Sequence, residues 1–281
     1  MLGKSELHVK INVMGNMVSE SRKERFNDAF LNSYAIQVFR DIADCDFIAA
    51  RQSFRSSLYL QFVWLAQQSI EKYLKCILLL NKIEPIKDKN GAVKGTHSLK
   101  ILLEQWRKEN LFKIRIRKES LEFIDYLDRC AIHSRYLSAP IHVLSEHLTQ
   151  LDATVWDIRR YCKPLNYSIQ MLEGKVKSFL EDELEKIIKS EDLPPQKFVL
   201  DASAFLEKII NDKYHPAREF LIWKNKYFGK RVNRNIEVNL NPLAIQSELS
   251  ISPHMVDVVG KHVFLAKKVA IYLKSKASDN A

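Results

Sequence analysis

Five polar side chains recur at steps of three or four residues, in the order Glu122, Asp125, Arg129, His133 and Tyr136. Such steps place them along one side of an α-helix. In this strip the guanidinium of Arg129 can hold a phosphate or its developing charge. The imidazole of His133 can act as a general acid or base for attack by a ribose 2′-hydroxyl. The strip is therefore a candidate site for acid–base chemistry on a phosphate-containing ligand, and such chemistry needs no metal.

The same strip also has a purely structural interpretation. Asp125 and Arg129 are spaced for an i,i+4 salt bridge. His133 would then be exposed near the end of the helix, where a cation is favourable. Both interpretations are open from the sequence. His97, which opens another predicted helix, is assigned a structural hydrogen bond within the fold.

Cationic residues elsewhere form further candidate binding regions. Lys72 and Lys75 lie on the polar side of a long predicted helix and can reach a phosphate, or are simply solvated. A later stretch interleaves cations with aromatic rings, which suits base stacking and phosphate contacts in single-stranded RNA. Alternatively, its rings belong to the core and its cations form a solvated rim. The candidate binding residues of this stretch are Trp223, Lys226, Lys230 and Arg231.

Histidines and cysteines show no spacing typical of a metal site. The cysteines at positions 45, 76, 130 and 162 form no C-x-x-C pair. Five of the histidines have no acidic or cysteine companion at ligand spacing: His142, His147, His215, His254 and His262. We therefore predict no metal and no other cofactor. Free, scattered cysteines favour a reducing cytoplasm.

Composition favours a helical protein that binds a polyanion. Of 281 residues only 7 are Gly and 8 are Pro, which leaves room for long uninterrupted helices. The formal net charge of +10 favours nucleic acid, an acidic protein or an anionic surface as partner. No stretch reaches the roughly 18 apolar residues of a membrane span, so we predict no membrane association.

Helical periodicity divides the chain into three parts. Residues 1–25 form a tail, residues 26–165 an antiparallel up-and-down bundle of five helices, and residues 166–281 a mainly helical C-terminal domain. The predicted class is all-α. Thr96 is the expected N-cap of the third helix and Pro140 lies in the first turn of the fifth. A charged helix is expected from Ile169 to Ser190.

The second and third predicted helices resemble those of the HEPN domain superfamily. The second reads Ala66-Gln67-Gln68, Glu71-Lys72 and Leu74-Lys75, and the third opens with Thr96-His97-Ser98-Leu99. The resemblance implies a helical bundle that commonly dimerises and binds RNA or nucleotides in a cleft near the dimer seam. Many members are metal-independent endoribonucleases of toxin, antiviral or RNA-processing systems, and others are binding modules.

The nuclease members share an arginine and a histidine with four to six residues between them. Arg129 and His133 are separated by three residues, and Cys130 stands where a polar residue is usual. The following Arg135 and Tyr136 are similar to a signature of the nucleotidyltransferase-associated branch, which makes them candidate binding residues beside the site.

The resulting functional prediction is an RNA- or nucleotide-binding homodimer of a toxin, defence or RNA-processing system. One alternative is a metal-independent endoribonuclease that uses Arg129 and His133. The other alternative is a non-catalytic structural subunit that acts with an operon-encoded partner protein.

Overall fold

A computed structural model describes most of the helical part of the chain. The described residues are 28–84, 96–108, 115–136, 141–164, 168–170, 176–178, 180–192, 199–229 and 243–245. At residues 131–136, 168–170, 176–178, 180, 191–192 and 243–245 the description is limited to the backbone.

The first two helices form the antiparallel pair at the centre of the bundle. Helix α1 is α-helical over residues 28–34, π-helical over Ala35–Arg40 and α-helical again over Asp41–Arg55. Helix α2 spans Tyr59–Leu80. Its apolar side chains repeat at three- and four-residue steps, so the buried ones face α1 and the rest of the bundle. At the α1–α2 turn, the rings of Phe54 and Phe62 meet edge to face with centroids 5.0 Å apart.

Three further helices complete the predicted bundle. They are α3 (Leu99–Lys108), α4 (Lys118–Tyr136) and α5 (Glu146–Arg159). Trp106 of α3 is fully buried, and its ring lies edge to face with Tyr161 just beyond α5, at 5.0 Å between centroids. The prediction of a mostly helical, bundled fold is confirmed.

Short strands correct two of the predicted helices. Ile141–Val143 forms strand β1, in which two buried side chains flank an exposed one. Alternation of this kind suits a strand rather than a helix, so α5 begins at Glu146 and not near Pro140. The helix expected from Ile169 was also wrong: Ser168–Gln170 (β2) and Val176–Ser178 (β3) pair antiparallel, and helix α6 spans Leu180–Asp192. Strand β4, Leu243–Ile245, pairs antiparallel with β1.

Residues 199–229 pack against the bundle, and we call them the C-terminal strap. The strap contains helices α7 (Phe205–Asn211) and α8 (Arg218–Ile222). Four of its apolar side chains join the main core: Leu206, Ile209, Leu221 and Phe228. Gly229 ends the strap with φ +92°, and a Cβ there would lie 2.9 Å from Ile222 Cγ2. The turn therefore requires glycine.

Buried ion pairs connect the strap to the bundle. Arg159 of α5 binds Asp44 of α1 (Nε to Oδ1, 2.8 Å) and Glu207 of α7 (Nη2 to Oε2, 2.7 Å). Arg51 of α1 pairs with Asp152 of α5 and donates hydrogen bonds to the carbonyl oxygens of Phe220 and Trp223. The buried charges of the bundle and the polar groups of the strap therefore depend on each other, because a buried charge needs a compensating partner.

The buried His147 is expected to make the stability of the bundle depend on pH. Its ring lies 4.2 Å from that of Tyr126, its Nδ1 accepts a hydrogen bond from the Leu144 N–H at 3.2 Å, and burial lowers its pKa from 6.5 to about 4. Protons therefore bind the unfolded chain preferentially between these values, and stability falls as pH falls from 6.5 towards 4. We expect this residue to remove about 3 kcal/mol of unfolding free energy over that interval.

Urea unfolding at several pH values, compared with His147→Asn, tests this expectation. Asparagine keeps an acceptor for the Leu144 N–H but has no proton to gain. The variant should therefore lose less stability than the original chain on acidification. Parallel pH profiles for the two proteins would contradict the proposed role of His147.

Candidate functional site

Helix α4 carries the polar strip on one unbroken helix. It runs from Lys118 to Tyr136, so the four-residue step from Arg129 to His133 places both residues on the same side. The side chains of His133, Arg135 and Tyr136 lie outside the described part of the structure. The backbone therefore supports the predicted alignment, and the functional roles of these residues stay predictions.

The Arg129 side chain is 72% exposed and only loosely paired. Its Nε lies 3.3 Å from Asp125 Oδ2, which is the i,i+4 contact of the structural interpretation. Asp125 is shared, because Lys100 of α3 also binds it. The hydrogen bond from Lys100 lowers the pKa of Asp125, and the charges of Lys100 and Arg129 act in the same direction. Arg129 therefore remains accessible to a ligand although it has an acidic neighbour.

The start of α3, at residues 97–100, rests directly on residues 125–129 of α4, and we call this contact the α3–α4 junction. Asp128 accepts hydrogen bonds from the Leu99 N–H at 2.6 Å and from Ser98 Oγ at 3.1 Å. Thr96 is therefore not the N-cap: its Oγ1 accepts a hydrogen bond from the Ser98 N–H, and the helix begins two residues later than expected, at Leu99. Asp128 was not among the residues predicted from the sequence, because its partner lies 29 positions away.

The two HEPN-like motifs meet in a polar cluster between α2 and the start of α3. Glu71 Oε1 lies 3.0 Å from His97 Nδ1 and accepts a 2.6 Å hydrogen bond from Lys75 Nζ. Gln67 Nε2 donates to Glu71 Oε2 at 3.0 Å and to the His97 carbonyl oxygen at 3.1 Å. The predicted structural hydrogen bond of His97 is therefore present, and its partner is the buried Glu71.

Electrostatics keep Glu71 ionised. Burial alone would raise its pKa, but hydrogen bonds from Lys75, His97 and Gln67, together with the charge of Lys75, lower it below its ordinary value. An ionised carboxylate only accepts hydrogen bonds. The hydrogen between Glu71 and His97 must therefore reside on His97 Nδ1.

The two candidate phosphate-binding lysines of α2 have acidic partners. Lys72 Nζ lies 2.5 Å from Asp46 Oδ2, and Lys75 pairs with Glu71. Both side chains retain partial exposure on the same helix surface as the His97 cluster. The structure brings Lys75 to His97, and a phosphate contact by either lysine stays a prediction.

Rings of the basic C-terminal stretch take part in packing. Trp223 is half-buried, with the guanidinium of Arg55 5.5 Å and Lys224 Nζ 4.7 Å from its ring centroid. Phe228 packs on Phe47 at 5.5 Å between centroids. These positions agree with the alternative that assigned the rings to the core. Lys226 is exposed, whereas Lys230 and Arg231 lie outside the described residues.

Arg117, just before the start of α4, packs against aromatic rings of the strap and of α5. It binds Asp157 of α5 with Nη2 to Oδ1 at 3.0 Å and donates to Tyr227 Oη at 2.7 Å. Its guanidinium also lies 5.3 Å from the Trp156 ring centroid. Because the Arg117 guanidinium also lies 4.7 Å from the ring centroid of Tyr227, this strap ring is held by a hydrogen bond and a cation–π contact.

Among the described residues, no group of three or more His, Cys, Asp or Glu side chains converges to hold a metal ion. In the same part of the chain, no helix combines the length and apolar character that crossing a membrane requires.

Comparison with known protein families matches residues 36–156 to the HEPN domain. The match begins in α1 and ends in α5, so it contains the His97 cluster and the polar strip of α4. No curated protein and no solved structure matches the chain significantly.

Proposed function

Because residues 36–156 are a HEPN domain, we propose that this chain binds RNA through the α3–α4 junction, where Lys100 and Arg129 face solvent. The observation that carries the proposal is the exposure of Arg129. Its Nε lies 3.3 Å from Asp125, a carboxylate that Lys100 already neutralises in part. A guanidinium in this state can turn to bind a phosphate in a two-pronged contact.

Other arginines of the bundle differ from Arg129 in their burial and in their partners. Arg51, Arg159 and Arg160 are buried and hold carboxylates or carbonyl oxygens inside the fold. Their charges stabilise the structure and are withdrawn from a ligand. A net charge of +10 favours a polyanion only through cations that solvent reaches, and Arg129 is one of them.

The predicted homodimer, its toxin, defence or RNA-processing system, and its cytoplasmic location are part of the same proposal. The homodimer and the RNA-related system are supported by the match of residues 36–156 to the HEPN domain, and the cytoplasmic location is supported by the free cysteines. Dimerisation of two bundles along α4 would double the number of exposed arginines that one RNA strand meets, which would strengthen binding by multivalency.

Replacement of Arg129 by alanine is expected to weaken binding of labelled single-stranded RNA about tenfold at low salt, since one charge-assisted phosphate contact is lost. The slope of log K against log salt concentration should become smaller by about one unit. Fluorescence anisotropy at four or five salt concentrations measures both quantities.

Lys189→Ala is the matched control. Lys189 forms an i,i+4 pair with Glu185 on α6 and is 68% exposed, so its removal changes net charge equally at a comparable helix surface. We expect it to alter affinity less than twofold. Equal losses in Arg129→Ala and Lys189→Ala would show that RNA responds to total charge and would overturn the proposed site.

Endoribonuclease activity is the second candidate, and the alignment of Arg129 with His133 on α4 favours it. The reaction would transfer the 2′-hydroxyl proton to a base while the 2′-oxygen attacks phosphorus and the 5′-oxygen leaves. Incubation with labelled RNA in EDTA distinguishes the candidates. Cleavage that His133→Ala abolishes supports the enzyme, whereas RNA retention without cleavage supports the binding module. Absence of both would favour the structural subunit.

A further inference from the structure

His97 and Glu71 form a carboxylate–histidine pair whose histidine faces solvent. The Glu71 side chain is 5% exposed and that of His97 is 70% exposed, with 3.0 Å between Oε1 and Nδ1. The pair joins the middle of α2 to the residue before Ser98 at the start of α3. The Nδ1 atom of His97 is therefore fixed by Glu71, and the rest of the ring is open to a ligand.

The geometry of the pair sets its hydrogen-bonding direction. Ionised Glu71 accepts the Nδ1–H of His97, so in the neutral imidazole Nε2 carries the lone pair. Gln67 holds both members, through the Glu71 carboxylate at 3.0 Å and the His97 carbonyl oxygen at 3.1 Å. The result is an exposed hydrogen-bond acceptor with a fixed position.

The structural hydrogen bond to Glu71 does not by itself require an imidazole at position 97. Glu71 already has Gln67 and Lys75 as donors, so its burial is compensated without the imidazole. A ring that is 70% exposed also contributes little apolar burial. The side chain is thus held in place at a position where the fold gains little from it.

Cations lie in the segments that adjoin this acceptor. Lys75 binds the same carboxylate oxygen of Glu71. Lys100 follows on α3, and Arg129 shares its carboxylate partner on α4. A ligand at this junction therefore meets partly exposed cations, each with a carboxylate partner, together with a fixed acceptor. RNA offers the complementary pattern, because each nucleotide carries a phosphate and a neighbouring 2′-hydroxyl donor.

We propose that His97 Nε2 accepts a hydrogen bond from the ribose 2′-hydroxyl of bound RNA, which makes the α3–α4 junction selective for RNA over DNA. The inference rests on the proposed RNA binding and adds its specificity-determining residue. The 2′-hydroxyl is the group that distinguishes RNA from DNA. Because Nε2 of His97 is an acceptor, it recognises the hydrogen of this hydroxyl.

The test compares one oligonucleotide sequence in three forms: RNA, 2′-fluoro RNA and DNA. The 2′-fluoro sugar keeps an RNA-like pucker but donates no hydrogen bond. The original chain should bind RNA about fivefold more tightly than 2′-fluoro RNA, as expected for one hydrogen bond. His97→Ala should bind both with the affinity that the original chain has for the 2′-fluoro form. Thermal unfolding establishes that the variant is folded.

Arg129→Ala separates this inference from the proposed function. It should weaken all three forms by the same factor and leave their ratio unchanged, because a phosphate contact does not read the sugar. Failure of the original chain to bind any form would overturn the proposed function. Binding of RNA and 2′-fluoro RNA with equal affinity, or an unchanged ratio in His97→Ala, would overturn the role of His97 alone.

Discussion

Arg159→Ala is expected to lower the free energy of unfolding by about 3 to 5 kcal/mol, the cost of removing one partner from a buried ion pair. The Arg159 side chain is 2% exposed and binds Asp44 of α1 and Glu207 of α7. Without it, two carboxylates would remain close together in the interior with no cation between them. Urea unfolding followed by tryptophan fluorescence measures the loss.

Burial and the contacts with Arg159 act in opposite directions on the pKa of each carboxylate. Burial raises the pKa of Asp44, although the charge and hydrogen bonds of Arg159 and the hydroxyl of Tyr73 oppose the rise. Burial would also raise the pKa of Glu207, but the charge of Arg159 and hydrogen bonds from Arg159 and the Leu200 N–H lower it. Each carboxylate accepts two hydrogen bonds from Arg159, so the substitution removes partners from both.

A triple variant isolates the charge effect. Arg159→Met combined with Asp44→Asn and Glu207→Gln removes all three charges while keeping similar volumes, so it should be clearly more stable than Arg159→Ala. Lys189→Ala, at an exposed pair, should cost less than about 1 kcal/mol. A loss of similar size in Arg159→Ala and Lys189→Ala would refute the importance of the buried triad.

The bundle was predictable because its information is local. Apolar residues of α2 repeat within single turns, and Val63, Ala66, Ile70 and Leu74 are all fully buried as the period requires. The buried ion pairs could not be predicted from neighbouring residues in the sequence. Arg51 and Asp152 are 101 positions apart, and Arg159 and Asp44 are 115 apart, so each looks like a solvated residue of a helix surface until the helices are packed.

In the candidate site, too, contacts between neighbours on one helix were predictable, and contacts between distant residues were not. The alignment of Asp125 with Arg129 follows from helical spacing and is present at 3.3 Å. Contacts of Glu71 with His97 and of Asp128 with Leu99 join residues 26 and 29 positions apart, and they depend on where α3 begins. That start was misplaced because three successive residues, Thr96, His97 and Ser98, all have side chains that can cap a helix or bond nearby backbone.

Shortening the chain to end at residue 165 is expected to prevent stable folding of the bundle. The shortened chain lacks the C-terminal strap, whose Leu206, Ile209, Leu221 and Phe228 belong to the main core. Burial of four such side chains contributes up to about 6 to 12 kcal/mol, which is comparable to the whole stability of a domain. We therefore propose that the folding unit extends to at least Gly229, across the boundary that the sequence predicts between residues 165 and 166.

Polar contacts give a second reason for this expectation. Without the strap, Arg159 loses Glu207, Arg51 loses the carbonyl oxygens of Phe220 and Trp223, and Arg117 loses the hydroxyl of Tyr227. Circular dichroism and urea unfolding of chains that end at residues 165 and 229 test the proposal. The longer chain should unfold cooperatively, and the shorter one should not. Cooperative unfolding of the shorter chain at the same urea concentration would show that residues 26–165 fold alone, because strap contacts would then be dispensable for both the core and its buried charges.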